Sequence, residues 1–228
     1  MGKLSKPIRF LDSYLNYEEF CIILNTGVSR LGISLTPQQV LSFHLYLNEL
    51  ILWNKRINLI SRTSTQDIIF KDFLDSLTIG KYLNIGVSMA DLGSGAGFPG
   101  IPIKIIRPDI SVSLFEMKRK KGYFLKHIIR CLNLKRIDVH WDQGKMSEQS
   151  FDVVVSRAFG SLARFLLEGI PMIKPSGLLL AMKGRRGKEE LKRNLSLLQE
   201  MGLGLVFCDH FKLPILEHER VIIGLRKE

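Results

Sequence analysis

The chain is poor in cysteine. Cys21, Cys131 and Cys208 are its only three, lie far apart, and form no CxxC pair. That excludes the close thiolate spacing of a structural zinc site, and an odd set gives no disulfide framework. Long apolar runs are missing too. No stretch approaches the ~20 apolar residues of a membrane span. The apolar residues that follow Lys3, Lys6 and Arg9 are soon interrupted by Asp12, Asn16, Glu18 and Glu19. With no secretory leader pattern, the protein is expected to be cytoplasmic. There is no GxxxxGK(S/T), which excludes P-loop chemistry, and no internal repeat or low-complexity segment. Acidic side chains are also short in number: 22 Asp and Glu stand against 33 Lys and Arg, a net charge of +11. Such an excess favours a polyanionic partner, because Lys and Arg displace condensed counterions from phosphates. By itself it describes a basic solvated surface equally well. An anionic membrane would call for a basic amphipathic helix, and none is evident.

What remains is globular. Of 228 residues, 46% are hydrophobic and 24% charged, enough to bury a core without disulfides or metal. The first part reads as helical, with a mixed stretch from Leu11 to Leu24. At Thr36-Pro37-Gln38-Gln39 a helix should start: Thr is a good N-cap, Pro suits the first position, and Gln39 closes a capping box. Val40, Phe43, Leu47, Leu50 and Ile51 continue it as an apolar stripe. A second helical segment is expected from Ser64 to Leu83, and no strand before about residue 86.

Beyond that point the period changes. Apolar runs at Met89–Leu92, Val112–Phe115, Ile137–His140, Val153–Val155 and Leu178–Met182 read as strands. Helical patterns such as Lys118–Leu132 and Lys188–Met201 separate most of them. This rhythm predicts a parallel sheet covered on both faces. Leu205–Phe211 and Arg220–Arg226 are joined by about eight residues containing Pro214, too few for a crossover helix, and should pair antiparallel. The expected fold is α/β: a doubly wound, Rossmann-like, mostly parallel sheet ending in an antiparallel hairpin. It is the layout of class I methyltransferases, with a helical cap at 1–85 and the main domain at 86–228.

The strongest motif is Asp91-Leu92-Gly93-Ser94-Gly95-Ala96-Gly97-Phe98-Pro99-Gly100, directly after the first strand. Glycines let the backbone turn sharply and let a ligand approach without a Cβ in the way, so Gly95 is placed where a side chain would crowd the ligand. The helix after the loop offers N–H groups and a positive dipole end to a pyrophosphate or a carboxylate. Glu116 follows 23 residues after Gly93, at the end of the second strand, where an acid accepts hydrogen bonds from ribose hydroxyls. Strand, glycine turn, helix, strand and acid in order point to a nucleoside-bearing cofactor. NAD is the rival. Against it stand the GxGxG spacing in place of GxGxxG, the preceding Asp91, and the terminal hairpin.

Leu92 to Pro102 resembles the signature of the bacterial 16S rRNA guanine-N7 methyltransferases, also called the glucose-inhibited division protein B family. Four more blocks agree in order: Trp53-Asn54-Lys55 with Asn58-Leu59, Leu74-Asp75-Ser76, Ser156-Arg157-Ala158, and Lys183-Gly184. The resemblance runs from about residue 30 to the C-terminus. It implies a class I fold with an N-terminal helical cap, and methyl transfer from S-adenosylmethionine to N7 of guanine 527 (rRNA numbering) in small-subunit rRNA. Position by position, it implies cofactor contacts at Gly93, Phe98, Glu116, the pair Gly144-Lys145 after the third strand, and Arg157 after the fourth. Two departures stand out. The basic-His pair usual before "LDS" is Lys71-Asp72 here, and the Arg and acid usual after the third strand are replaced by Gln143-Gly144-Lys145. A backbone contact to adenine survives the second change; a side-chain contact does not.

The residues agree with that chemistry. N7 of guanine has an in-plane lone pair and needs no deprotonation, so neither base nor nucleophile is demanded. No Cys stands in a Pro-Cys context for covalent attack, and no (D/N/S)PP(Y/F/W) tetrapeptide marks exocyclic-amine methylation. Arg157 and Lys183, both after strands at the ligand edge of the sheet, are the positioning candidates; Arg157 suits a carboxylate, a phosphate or guanine O6. Lys118 and Arg119, opening a basic run to Lys121, and Lys183, Arg185 and Arg186 are the RNA-contact candidates. Trp53 lies on an amphipathic helix and is expected in the core, while Trp141 could stack on a base. His44, His127, His140, His210 and His218 show no ligand spacing, and no metal is expected. The expected partner is 16S rRNA or a small-subunit particle, with no membrane and no obligate protein partner. Other readings are a methyltransferase acting on another RNA, a small molecule or a protein, an NAD-linked oxidoreductase, and a non-catalytic RNA-binding module.

Overall fold

Residues 15–62, 64–141 and 150–227 are described in a computed structural model. The first helix, α1 (Tyr17–Ser29), starts at Asn16, whose side chain and Glu19 exchange hydrogen bonds with each other's backbone N–H. The beginning of the mixed stretch from Leu11 lies outside the described residues. Helix α2 (Pro37–Asn54) starts as expected, with the Thr36–Gln39 box and Pro37 in the first turn. Gln39 also donates from Nε2 to the Ile105 carbonyl at 3.1 Å, tying the cap of α2 to a later helix. The stripe Val40, Phe43, Leu47, Leu50 and Ile51 is buried throughout.

The segment expected as one helix from Ser64 to Leu83 is helical but broken. It runs as α3 (Thr65–Ile68), a π-helical stretch Ile69–Leu74, α4 (Asp75–Leu77), and a 3₁₀ turn Gly80–Tyr82. Wide π turns cluster at functional sites. At the end of this one the turn tightens, the Asp75 N–H bonding Asp72 O, while Lys71 O accepts from Arg157.

The sheet has the order β3-β2-β1-β4-β5-β7-β6. Its strands are β1 (Ser88–Leu92), β2 (Ser111–Phe115), β3 (Ile137–His140), β4 (Phe151–Arg157), β5 (Ile173–Gly184), β6 (Leu203–Lys212) and β7 (Glu219–Lys227). The first five pair in parallel, and β7 pairs antiparallel with both β5 and β6. The terminal hairpin therefore forms as read, with its second strand placed inside and its first strand on the edge. Strand order reverses between β1 and β4, the crevice in which doubly wound sheets bind ligands.

Helices α5 (Gly100–Ile106), α6 (Arg119–Cys131), α7 (Leu162–Gly169), α8 (Gly187–Arg193) and α9 (Leu195–Glu200) cover the sheet. The expected Lys188–Met201 helix is split at Asn194, whose side chain donates to Glu190 O at 2.7 Å. Two apolar clusters follow the alternation of the strands. On one face Met89, Val153, Val155 and Leu180 join α2, α5 and α6; on the other Ala90, Val154, Leu179 and Ala181 join α7 and Leu191 of α8. The helices before residue 85 share the first cluster: Phe20, Phe43, Tyr46 and Phe73 lie in it with Ile101, Leu114 and Phe124.

Candidate active site

The loop from Gly93 to Pro99 leaves β1 at the carboxyl edge and enters α5. Inside a buried turn each backbone N–H needs an acceptor. Gly93 and Ser94 both donate to Phe115 O of β2, at 2.9 and 3.0 Å, and Gly97 and Phe98 donate to Ser94 O. Gly100 N reaches Asp91 Oδ2 at 2.9 Å. From α2, the Tyr46 hydroxyl donates to Ala96 O at 2.5 Å. Gly97 has φ +102°, and a Cβ there would meet Ile101 Cδ1 at 2.5 Å and the Tyr46 hydroxyl at 2.7 Å, so the turn tolerates only glycine. Gly95 differs. It also needs a left-handed conformation, at φ +61°, but the space around it is open, with nothing nearer than 3.8 Å to a Cβ.

Gly93, Gly95, Phe98 and Arg157 line one cavity of about 270 Å³, together with Arg62, Asp72 and Lys121. Glu116 sits against the same loop: its Oε2 accepts from Gly95 N at 2.9 Å and its Oε1 from Lys118 N at 2.7 Å. Each carboxylate oxygen keeps a further lone pair for a hydroxyl. An open glycine cradle with an acid beside it fits a nucleoside-bearing cofactor. Phe98 is buried and packs on Tyr46 and Phe73, so it forms the floor of the cavity.

Arg157 is held by its neighbours on several sides. Its guanidinium lies over the Phe98 ring at 4.9 Å. Nη2 reaches Asp72 Oδ1 at 2.9 Å, and Nη1 donates to Lys71 O at 2.8 Å and reaches Asp75 Oδ2 at 3.5 Å. The fork expected for a ligand is thus engaged by the protein's own carboxyl groups. Asp72, only 1% exposed, also takes a bidentate grip from Arg62, at 2.9 and 2.7 Å. Asp75 takes Arg220 Nε of β7 at 3.0 Å. The Asp72 bond holds the Arg62 guanidinium in its charged form more firmly than usual.

The other candidates scatter. Lys183 lies outside the cavity lining and donates to Gly160 O and Glu190 Oε1, at 2.9 and 3.1 Å. Lys118, Arg119, Arg185 and Arg186 are exposed, the first pair at the start of α6 and the second just before α8. Gly144 and Lys145 lie outside the described residues. Trp53 packs edge-on against Phe124, and Trp141 stacks under Lys126 at 4.0 Å. Not signalled by the sequence as site residues are Arg62, Tyr46 and Arg220, the placing of Lys121 in the cavity wall, and the bond from Gly100 N to Asp91. The departure at Lys71-Asp72 was the one available signal for the Arg62 pair.

Asp91 is fully buried, and no described residue bonds its Oδ1. Burial pushes its carboxyl up to about 7, against the Gly100 N–H bond and the Arg157 charge, which lower it.

Comparisons with known proteins add the following. The sequence pattern of the GidB family, described as rRNA small subunit methyltransferase G, matches residues 39–218. The chain is 35% identical over 209 residues to Ribosomal RNA small subunit methyltransferase G of Geotalea uraniireducens (strain Rf4), covering 90% of this chain and 95% of that one. It is 34% identical over 221 residues to the protein of the same name from Bacillus subtilis (strain 168), covering 93% and 91%. Among solved structures, M. jannaschii TYW2 in complex with AdoMet superposes with a TM-score of 0.55 at 16% identity, over 69% of this chain and 76% of that one. A SAM-dependent methyltransferase from Thiobacillus denitrificans in complex with S-adenosyl-L-homocysteine gives 0.51 at 12% identity, over 68% and 91%. These last two likenesses concern the fold alone, and they agree with the expected class I layout.

The burial of Asp91 generates a test with a definite sign. Above the ordinary value of 3.8 the unfolded chain gives up this proton, while the folded chain keeps it to about 7. Stability from this group is therefore present at low pH and is lost as pH rises from about 4 to about 7, with no further change above. Asp91→Asn should lack that loss. Urea midpoints of both proteins across this window check it: the variant gains on the parent as pH rises, and a constant gap contradicts the assignment.

Proposed function

Because the chain belongs to the rRNA small subunit methyltransferase G family, we propose that it transfers a methyl group from S-adenosylmethionine to N7 of a guanine, guanine 527, in 16S small-subunit rRNA. The observation that carries this is the family match across residues 39–218, a span that holds the glycine loop, Glu116, Arg157 and Lys183 in order. The substrate is the 16S rRNA or a small-subunit particle containing it, in the cytoplasm, and the reading calls for no further protein partner. Among the described residues no helix is long and apolar enough to cross a membrane.

S-adenosylmethionine, when bound, supplies an electrophilic methyl group. Gly93, Gly95, Phe98, Glu116 and Arg157 would hold it, with Gly144 and Lys145 added from outside the described residues. N7 carries no proton, so the residues need only align the base and exclude water. The lining suits that task. Asp72 is committed to two arginines, while Arg157, fixed on Phe98, presents a rigid cationic wall. Arg185, Arg186, Lys118 and Arg119 are exposed cations on two sides of the sheet edge and are suited to phosphates. Lys183 contributes by holding Gly160 and Glu190 in place rather than as a free cation.

An RNA carrying 7-deazaguanine at the target position keeps its pairing edge but has no N7. It should bind as the parent RNA does and accept no methyl group in a single-turnover assay. Methylation of that RNA at the normal rate would falsify the N7 assignment while leaving the family intact.

A second test addresses Arg62. Asp72→Asn should slow single-turnover transfer by about 10²-fold by releasing Arg157 from its position. Adding Arg62→Ala should cost less than about tenfold more, because both changes act on one network. Full multiplication of the two effects would show that Arg62 and Asp72 act separately.

A further inference from the structure

Helices α2 and α6 pack together, and three side chains converge between them, away from the cavity. Glu49 of α2 places Oε2 2.7 Å from Nε2 of His127 on α6. Cys131, one turn further along α6, places Sγ 3.4 Å from the same nitrogen. A four-residue step puts His127 and Cys131 on one helix face. One donor atom from each of the three lies within 4.8 Å of the others. The Trp53 ring, centred 5.1 Å from the imidazole, steadies it from the α2 side.

The shared nitrogen decides what the cluster can do. A nucleophilic triad needs the thiol on one ring nitrogen and the carboxylate on the other, so that a proton passes through the ring. Here both partners face Nε2, and Nδ1 stands farther from the thiol, at 3.9 Å. The thiol is also unactivated: burial and then the Glu49 charge push Cys131 up. An imidazole nitrogen, a sulfur and a carboxylate oxygen around a common centre are instead a mixed donor set for a divalent metal. A borderline-soft ion such as zinc accepts all three ligand types, and three protein donors leave one position for water.

We propose that Glu49, His127 and Cys131 bind one divalent cation of the zinc or cobalt(II) class, which staples α2 to α6. On binding, the Cys131 thiol releases its proton to solvent and the proton that Nε2 of His127 donates to Glu49 moves to Nδ1, leaving the Nε2 lone pair for the metal. None of the three lines the cavity, so the test of this site is independent of methyl transfer.

The full-length protein, freed of metal by chelator, is titrated with cobalt(II) chloride. The expected result is a near-ultraviolet thiolate-to-cobalt charge-transfer band with visible d–d bands, saturating at one cobalt per chain and displaced by zinc. Cys131→Ser, at an exposed position that threatens no core, should remove the near-ultraviolet band. His127→Ala and Glu49→Gln should each weaken binding by at least about tenfold. Cys21→Ser and Cys208→Ser should leave the band in place. Zinc should raise the melting temperature of the parent and not of Cys131→Ser. Absence of the charge-transfer band at a large molar excess of cobalt, or its survival in Cys131→Ser, overturns the proposal.

Discussion

Between Asp91 and Gly100 the chain turns from strand to helix inside a buried region, and the backbone N–H groups of that turn must find acceptors without water. The acceptors come from elements far apart in sequence. Phe115 O and the Glu116 carboxylate belong to the end of β2, and Asp91 Oδ2 to β1. In the other direction, the Tyr46 hydroxyl reaches in from α2 and donates to the loop carbonyl Ala96 O. The parallel pairing of β1 with β2, Leu92 beside Phe115, brings the first two together. The loop shape is therefore a property of the sheet and α2 jointly. The helices before residue 85 sit in the same apolar cluster as α5 and α6. The loop leaves Gly93 and Gly95 as its partly exposed positions, and both line the cavity along with Ser94, Ala96 and Phe98.

A second constraint is charge. A carboxylate as buried as Asp72 is tolerable only with close partners. Two guanidinium groups meet it, and a third reaches the neighbouring Asp75. Arg220 arrives because β7 lies beside β5, where it pairs with Gly184. The inserted strand that marks the fold thus also completes the polar wall of the site. The π-helical stretch at Ile69–Leu74 turns Asp72 inward and leaves Lys71 O for Arg157.

What was legible in the sequence follows from how local each signal is. The Thr36–Gln39 box, the glycine loop, the apolar strand runs and the short connection of the terminal hairpin are patterns carried within short stretches of sequence, Glu116 is found by its distance from the loop, and each forms. The position of β7 within the sheet rests on pairing between distant strands, which periodicity does not encode. The Asp72 network joins residues 10 and 85 positions away, so Lys71-Asp72 reads from sequence only as a departure. The split at Asn194 comes from a side chain competing for a backbone carbonyl, a choice open to any Asn within a helix. His127 and Cys131 carry a legible four-residue step, but Glu49 is 78 positions away.

The central claim is that the open space at Gly95, beside Glu116, is where the adenosyl-bearing cofactor lies against the loop. Calorimetric titration of the parent and of Gly95→Val with S-adenosylmethionine, with NAD as the control ligand, tests it most directly. The account predicts saturable one-to-one binding of S-adenosylmethionine and none of NAD by the parent. It predicts no measurable heat from a Gly95→Val protein whose circular dichroism matches the parent's. Unchanged affinity in that variant, or preferential binding of NAD by the parent, would contradict it.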